Sequence, residues 1–374
     1  MHTRQDDHTS FPGQVCFPLC GHGMVSTGGT IERTMLTGTE ESNGNRSSSN
    51  NVRLKEAKPV EIDGRDIIWS VACLVDGKHA VSGGKEGKIR HWRMEDGKEA
   101  GAPMDAGAPV IDIAVSRDGK WVVSGTDSGE MTVWNAERHS KVTGFQGHRN
   151  WVHAVDVSPD ATKIATGSTD KTACVWSLST GERLLDPLKH DDWVVAVKFS
   201  PDGQLIATAT WGRDSVRVYD SQNGRLLVQF PVQVYSALNQ SLAWASDSKQ
   251  LFALSRGGNI HCVDASTGTT LSQWFIHSSN NSRCISLASN STFIAASAGS
   301  SVSFWDATSH EQIGSVIEYT HDIWSMAISP AYDLVIGGEK TITLRGLCDT
   351  LPSHYFDNVS VSLHQNNSQS QTAC

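Results

Sequence analysis

A repeat of about 42 residues is the feature of this chain that most limits how it can fold. Strand-sized apolar runs end at near-regular intervals in an aromatic or aliphatic residue. These markers are Trp92, Trp134, Trp176, Tyr219, Val263, Trp305 and Leu344, at intervals of 42, 42, 43, 44, 42 and 39 residues. Such a period, marked by tryptophan, is typical of a β-propeller. The seven markers predict an all-β fold, a single seven-bladed β-propeller of four-stranded antiparallel blades.

Each repeat contains short apolar segments separated by turns of Gly, Asp and Ser. In the third repeat these segments read WVHAVDVS, KIATGS, TACVWSL and RLLDPL. No helical periodicity is present, and 33 glycines favour tight turns over long helices. The first segment is apolar almost throughout, which predicts a strand covered on both faces by neighbouring blades.

The two ends of the repeat region predict how the ring closes. The last repeat stops at TITLRGL, residues 341–347, with no fourth strand after it, whereas a strand-sized run at 58–62 precedes the first repeat. We therefore expect residues 58–62 to form the outer strand of the seventh blade, which removes an unpaired edge. The predicted organisation is a disordered tail at 1–51, a propeller at 52–346 and a second disordered tail at 347–374.

Four short motifs carry a resemblance to a known family. GHRNWV before a first strand, SPDG between strands, GSTDKT in a hairpin and VW closing a third strand resemble the WD-repeat β-propeller family over residues 55–346. The Trp-Asp pair itself is present at Trp305-Asp306. The resemblance implies a scaffold that binds other proteins and uses no cofactor. It does not identify the partner, because a fold does not by itself specify a function.

The resemblance also assigns positions to a polar group in the third repeat: His148 before the first strand, Thr166 on the second, Asp170 in the hairpin turn and Trp176 on the third. Hydroxyl, imidazole and carboxylate are also the parts of a nucleophilic triad. However, the indole would occupy the hydroxyl, and no oxyanion loop is visible. We predict a structural hydrogen-bond network, with residue 166 opposite residue 175 or 176. Its fourth-repeat counterpart comprises His190, Thr208, Asp214 and Tyr219.

A set of tryptophans precedes the first strands and has two interpretations. Trp69, Trp151, Trp193 and Trp324 are expected at one register, and Trp211 and Arg213 lie in an expanded turn. They either pack over the blade ends or form an exposed rim that binds a partner, since Trp and Arg are enriched among binding hot spots.

Composition and motifs narrow the function. A net charge of −9 argues against direct nucleic-acid binding, and no apolar run is long enough to predict a membrane span. We expect a monomeric, non-enzymatic, cytoplasmic or nuclear scaffold without cofactor, metal or catalytic residues, which binds a protein or peptide through its rim and central channel. The alternatives are a substrate adaptor of a ubiquitin ligase and a propeller hydrolase.

Overall fold

Seven antiparallel sheets form the part of the chain that the computed structural model describes. The described residues are 59–211, 216–232, 234, 241–255, 258–276, 285–287 and 292–356. Each sheet has four strands, so the predicted seven-bladed, all-β propeller is confirmed. Besides strands, the described residues include one short 3₁₀ helix, Ser353–Tyr355. No helix among them is long and apolar enough to cross a membrane.

The blades follow one another along the chain. Blade one comprises β2 (Ile68–Cys73), β3 (His79–Gly84), β4 (Lys88–Arg93) and β5 (Met104–Asp105), and blade two comprises β6 (Val110–Val115), β7 (Trp121–Thr126), β8 (Glu130–Asn135) and β9 (Ser140–Gln146). Blade three comprises β10 (Val152–Val157), β11 (Lys163–Ser168), β12 (Thr172–Ser177) and β13 (Leu188–Lys189), and blade four comprises β14 (Val194–Phe199), β15 (Leu205–Thr210), β16 (Val216–Asp220) and β17 (Leu226–Phe230). Blade five comprises β18 (Leu242–Trp244), β19 (Gln250–Leu254), β20 (Asn259–Asp264) and β21 (Thr270–Phe275). Blade six comprises β22 (Ile285–Leu287), β23 (Phe293–Ala298), β24 (Ser301–Asp306) and β25 (Gln312–Glu318). Blade seven comprises β26 (Ser325–Ile328), β27 (Asp333–Gly338), β28 (Thr341–Gly346) and, from the N-terminal side, β1 (Val60–Asp63).

The first strands of the blades form the inner wall of the ring. Each of them contacts the first strands of the two neighbouring blades, and the last of these contacts joins β26 to β2. The inner strand β10 is almost fully buried, whereas the outer strand β9 is mostly exposed. Apolar side chains of adjacent blades interleave, as where Val123 and Met131 of blade two meet Trp176 of blade three. The core is therefore a circular series of interblade clusters.

The seventh blade is closed by the N-terminal strand, as predicted. Strand β1 pairs antiparallel with β28, so that Val60 faces Leu344 and Ile62 faces Ile342. Ile62 is 6% exposed and packs in the cluster between blades seven and one. The ring is thus joined between two distant parts of the chain.

The propeller extends further toward the C-terminus than the sequence predicts. A disordered tail was expected from residue 347, yet Leu347, Leu351, Tyr355 and Phe356 are buried against blades six and seven. The Tyr355 hydroxyl also donates to a carboxylate oxygen of Asp306 at 3.0 Å. The predicted boundary at 346 is corrected to include residues 347–356, because apolar residues spaced through this polar segment cover the end of a cluster. The predicted tail at 1–51 lies outside the described residues.

Candidate functional site

The polar group of the third blade forms a continuous hydrogen-bond chain. The Trp176 indole donates to the Thr166 hydroxyl at 2.8 Å, and that hydroxyl contacts His148 Nε2 at 2.7 Å. His148 Nδ1 contacts Asp170 Oδ2 at 2.9 Å. The partners assign the tautomer: His148 Nδ1–H donates to the carboxylate, and Nε2 accepts from the hydroxyl. We call these four residues the brace.

The brace holds a carboxylate in its charged form. Burial alone would raise the pKa of Asp170, but hydrogen bonds from His148 and the Thr172 hydroxyl outweigh it and hold this pKa well below its ordinary value. The Arg149 N–H adds a further donor to Asp170 at 3.0 Å. The Thr166 hydroxyl is held between an indole and an imidazole inside the protein. This arrangement satisfies buried polar atoms and ties the hairpin to the start of the blade.

The pairing within the brace differs by one residue from that expected. Thr166 lies opposite Cys174, and Trp176 lies opposite Ile164. The expected pairing of residue 166 with 175 or 176 is wrong because the hairpin turn uses one more residue than a two-residue loop. That residue is Lys171, with φ of 68°, and its N–H donates to Ser168 O. The indole therefore reaches Thr166 diagonally across the strand pair.

Trp151 and Trp193 stand directly before inner strands of adjacent blades. The carbonyl of Trp151 accepts from the Thr169 N–H at 3.1 Å, and that of Trp193 accepts from the Trp211 N–H at 2.8 Å. The ring centroids of Trp193 and Trp211 are 6.0 Å apart. All three tryptophans are half-buried. Their backbones are thus fixed while part of each ring faces solvent. Arg213 lies outside the described residues.

Trp69 and Trp324 occupy a register two residues later than that of Trp151 and Trp193. Trp69 is the second residue of β2 and forms the β-bulge that precedes Ser70. Trp324 comes directly before Ser325. Ser325 pairs with Gly337 on the second strand as Ser70 pairs with Gly83, so Trp324 is the counterpart of Trp69. The expectation of one shared register is wrong: Trp69 falls on the bulge of its inner strand, whereas Trp151 precedes a strand whose bulge falls on His153. Both are half-buried at the same end of the inner strands.

Comparison with known families agrees with this geometry. The family model described as "WD domain, G-beta repeat" matches residues 59–93, 105–135, 139–177 and 183–220. These four segments are WD repeats, and together with the seven-bladed ring they are consistent with the WD-repeat β-propeller family. Each matched segment of this WD-repeat protein begins in or shortly before the outer strand of one blade and ends at the third strand of the next. No curated protein matches the chain.

The fourth blade of the WD-repeat propeller does not repeat the brace. His190 Nδ1 lies 3.5 Å from the Tyr219 hydroxyl and 3.4 Å from Arg217 Nη1. His190 Nε2 is buried without a hydrogen-bond partner, so it does not bond the Thr208 hydroxyl as His148 bonds that of Thr166. The predicted counterpart is therefore corrected, since Tyr219 has no indole N–H and the Arg217 guanidinium lies beside the imidazole. Burial lowers the pKa of His190 to about 4. Asp214 lies outside the described residues.

Sequence reasoning missed a polar connection between the inner strands. The Ser70 hydroxyl donates to Asp112 Oδ1 at 2.9 Å and accepts from the Ile113 N–H at 3.1 Å. The other Asp112 oxygen accepts from the Val155 N–H at 2.8 Å. These bonds join blades one, two and three around the channel. The signal in the sequence is a single carboxylate within the apolar run VIDIAV, because a buried charge needs partners.

Proposed function

We propose that this WD-repeat propeller is a non-enzymatic interaction scaffold that binds a protein or peptide partner through its rim and central channel. The family and the fold support a role as a protein-interaction scaffold. The rim, as we define it, consists of Trp69, Trp151, Trp193, Trp211, Trp324 and the turn residue Arg213. Among the described residues, no group of three or more His, Cys, Asp or Glu is placed to hold a metal ion.

The observation that carries this proposal is the arrangement of three aromatic rings on blades three and four. Trp151, Trp193 and Trp211 are half-buried at the same end of adjacent blades. Side chains directly before the strands also fix their backbones: Asn150 Oδ1 accepts from the Trp151 N–H at 2.9 Å, and Asp192 Oδ1 accepts from the Trp193 N–H at 2.8 Å. A preorganised aromatic surface loses little conformational entropy on binding.

Affinity capture followed by a binding measurement tests the rim. Partners captured from a cell extract by the wild-type protein are identified by mass spectrometry, and the dissociation constant of each purified partner is measured. We expect Trp193→Ala to weaken binding by at least about thirtyfold, which corresponds to the roughly 2 kcal/mol that defines a binding hot spot. Trp211→Ala removes the other ring of the pair and provides a second variant.

Trp121→Ala is the matched control. Trp121 is also half-buried, but it begins β7 and therefore lies at the opposite end of its blade. Thermal unfolding verifies that each variant is folded. Unchanged affinity in folded Trp193→Ala and Trp211→Ala proteins would show that the partner does not use this rim. The ubiquitin-ligase adaptor stays a prediction, which the identities of captured partners would test.

A further inference from the structure

A cleft opens between blades three and four on the outer side of the propeller, away from the inner strands. Its volume is about 830 Å³, within the range of 300–1,000 Å³ that is common for ligand pockets. One wall is the segment 183–189 of blade three, and the other contains Arg217, Tyr219 and Leu226 of blade four. Leu184 and Leu226 are 47% and 46% exposed. The cleft thus offers apolar contact area at its mouth.

The outer strand of blade three is interrupted beside the cleft. Arg183 pairs with Trp176, but the next ladder pair joins Leu188 to Ala173. Five steps along the outer segment therefore span three steps along β12, and Pro187, within this interval, has no N–H to donate. In blade two, by contrast, β9 (Ser140–Gln146) pairs with β8 through six of its seven residues, with a single bulge. The residues between the two ladder pairs of blade three form one wall of the cleft.

Arg217 brings a buried positive charge to this cleft. Its side chain is 10% exposed, and its Nη2 donates to Asp191 Oδ2 at 2.8 Å. The Asp191 side chain is itself 80% exposed, so water screens this ion pair. Nη1 donates to Lys189 O at 3.0 Å, and Nε is buried without a hydrogen-bond partner. A guanidinium in this position has capacity for another anionic acceptor.

Blade one shows what the equivalent arginine requires. Arg90 occupies the register of Arg217, since Arg90 lies opposite Ser82 as Arg217 lies opposite Thr208. Arg90 is bound by two carboxylates. Glu86 accepts at 2.6, 2.8 and 3.0 Å, and Glu99 accepts at 2.6 Å.

The position of Glu99 is taken by an aliphatic residue in blade four. Glu99 pairs with Trp92, and its counterpart Leu226 pairs with Tyr219. Arg217 therefore lacks the carboxylate that the fold supplies to Arg90. The single carboxylate that Arg217 does have, Asp191, is largely exposed, so the buried charge is incompletely compensated and a carboxylate from outside would offset that cost.

We propose that this cleft binds an acidic peptide segment of a protein partner. A carboxylate of the peptide takes the position on Arg217 that Glu99 takes on Arg90, and a neighbouring aliphatic side chain packs between Leu184 and Leu226. Arg183 and Lys189 also line the cleft, against the one lining carboxylate of Asp186. This excess of positive charge is local in a chain of net charge −9. The site is separate from the rim tryptophans and does not depend on them.

A variant that supplies its own carboxylate to Arg217 tests this proposal. Leu226→Glu places a carboxylate at the register of Glu99, where it binds Arg217 internally without removing any buried group. Phage-displayed random peptides are selected on the wild-type protein and counter-selected on Leu226→Glu. Synthetic copies of the enriched peptides, and copies with each Asp or Glu changed to Asn or Gln, are then measured by fluorescence polarisation.

We expect the enriched peptides to share an acidic residue near a leucine-like residue. Their affinity should fall at least about tenfold with Leu226→Glu, with Arg217→Gln or with the neutral peptide, because each removes the charged hydrogen bonds. The matched control Leu227→Glu adds the same charge at the neighbouring exposed leucine, which does not line the cleft. It should leave affinity within about twofold, as is usual for a peripheral charge. Thermal unfolding should show Leu226→Glu to be at least as stable as wild type.

Four results would overturn the proposal. The first is enrichment of peptides without acidic residues, and the second is equal binding by wild type and Leu226→Glu. The third is loss of peptide binding in Trp193→Ala, which would locate the peptide on the rim. Isovalerate serves as a small carboxylate probe, and binding as tight as that of the peptide would overturn the peptide as the occupant.

Discussion

At the scale of the residue, Asp170 shows how one carboxylate stabilises a blade. It accepts from the imidazole of His148, from the backbone N–H of Arg149, and from both the hydroxyl and the N–H of Thr172. These donors come from the start of the blade and from the hairpin beyond β11. Asp170 therefore connects segments 22 residues apart in sequence, an arrangement that we expect to stabilise the blade.

We predict that Asp170→Ala lowers the free energy of unfolding by roughly 2–4 kcal/mol, because it leaves buried donors unpaired. Trp176→Phe should lower it by roughly 1–2 kcal/mol through loss of the indole hydrogen bond. Equilibrium denaturation in urea measures both. Asp349→Ala, at an exposed aspartate, is the control and should change stability by less than about 0.5 kcal/mol. Equal effects of Asp170→Ala and Asp349→Ala would contradict a stabilising brace.

The same aspartate has a pH signature with a definite sign. Since the pKa of Asp170 is lower in the folded protein than its ordinary value of 3.8, its contribution to stability is complete at neutral pH. That contribution declines as the pH falls below 3.8 toward the folded-state pKa. The stability difference between wild type and Asp170→Asn should therefore shrink in acid.

The sequence predicts the members of the brace better than their pairing. The residue types and their order follow from motifs, but the register depends on Lys171 adopting a positive φ, which is uncommon for a residue other than glycine. In blade four, the pattern His190, Thr208, Tyr219 resembles the brace, yet Arg217 changes its hydrogen bonding. The spacing of the motif does not show that Arg217, opposite Thr208 on the adjacent strand, changes the hydrogen bonds of His190.

At the scale of the element, the repeat predicts where the strands lie. Strand positions depend on local features of the sequence, namely the short apolar runs and the turns that bound them. The marker residues Tyr219, Val263 and Leu344 lie in the third strands β16, β20 and β28, although none is a tryptophan. The packing of residues 347–356 does not follow from the repeat. The apolar residues of this segment match no position of the repeat. Phe356, for example, packs against Phe293 and Tyr332, which lie in earlier parts of the chain.

We predict that this C-terminal segment stabilises blades six and seven. Deleting residues 347–374 should lower the free energy of unfolding by roughly 3–6 kcal/mol, since several large apolar side chains leave the core. Deleting residues 357–374 retains Tyr355 and Phe356 and serves as the control, with little expected change. Calorimetry of both proteins measures the difference. Equal melting temperatures for the two deletions would show that the segment adds no stability.

At the scale of the whole molecule, each sequence repeat is shared between two blades. The matched segment 139–177 begins with β9, the outer strand of blade two, and ends with β12 of blade three. Connections of this kind join successive blades covalently around most of the ring. Between the seventh and first blades, the same role falls to β1, whose pairing with β28 is non-covalent. The stability of the ring therefore depends on that strand.

We predict that deleting residues 1–65 destabilises the entire propeller, whereas deleting residues 1–50 does not. The longer deletion removes β1, which exposes the edge of β28 and takes Ile62 out of the cluster that also contains Trp92 and Leu344. Ile62→Ala tests the same contact within the full chain and should cost roughly 2–4 kcal/mol. Glu61→Ala, at the exposed neighbour in β1, is the matched control. Thermal unfolding should remain a single transition at reduced temperature for Ile62→Ala, because the blades unfold together only while the ring is closed. If the protein lacking residues 1–65 melts at the temperature of the full chain, β1 does not close the ring in solution.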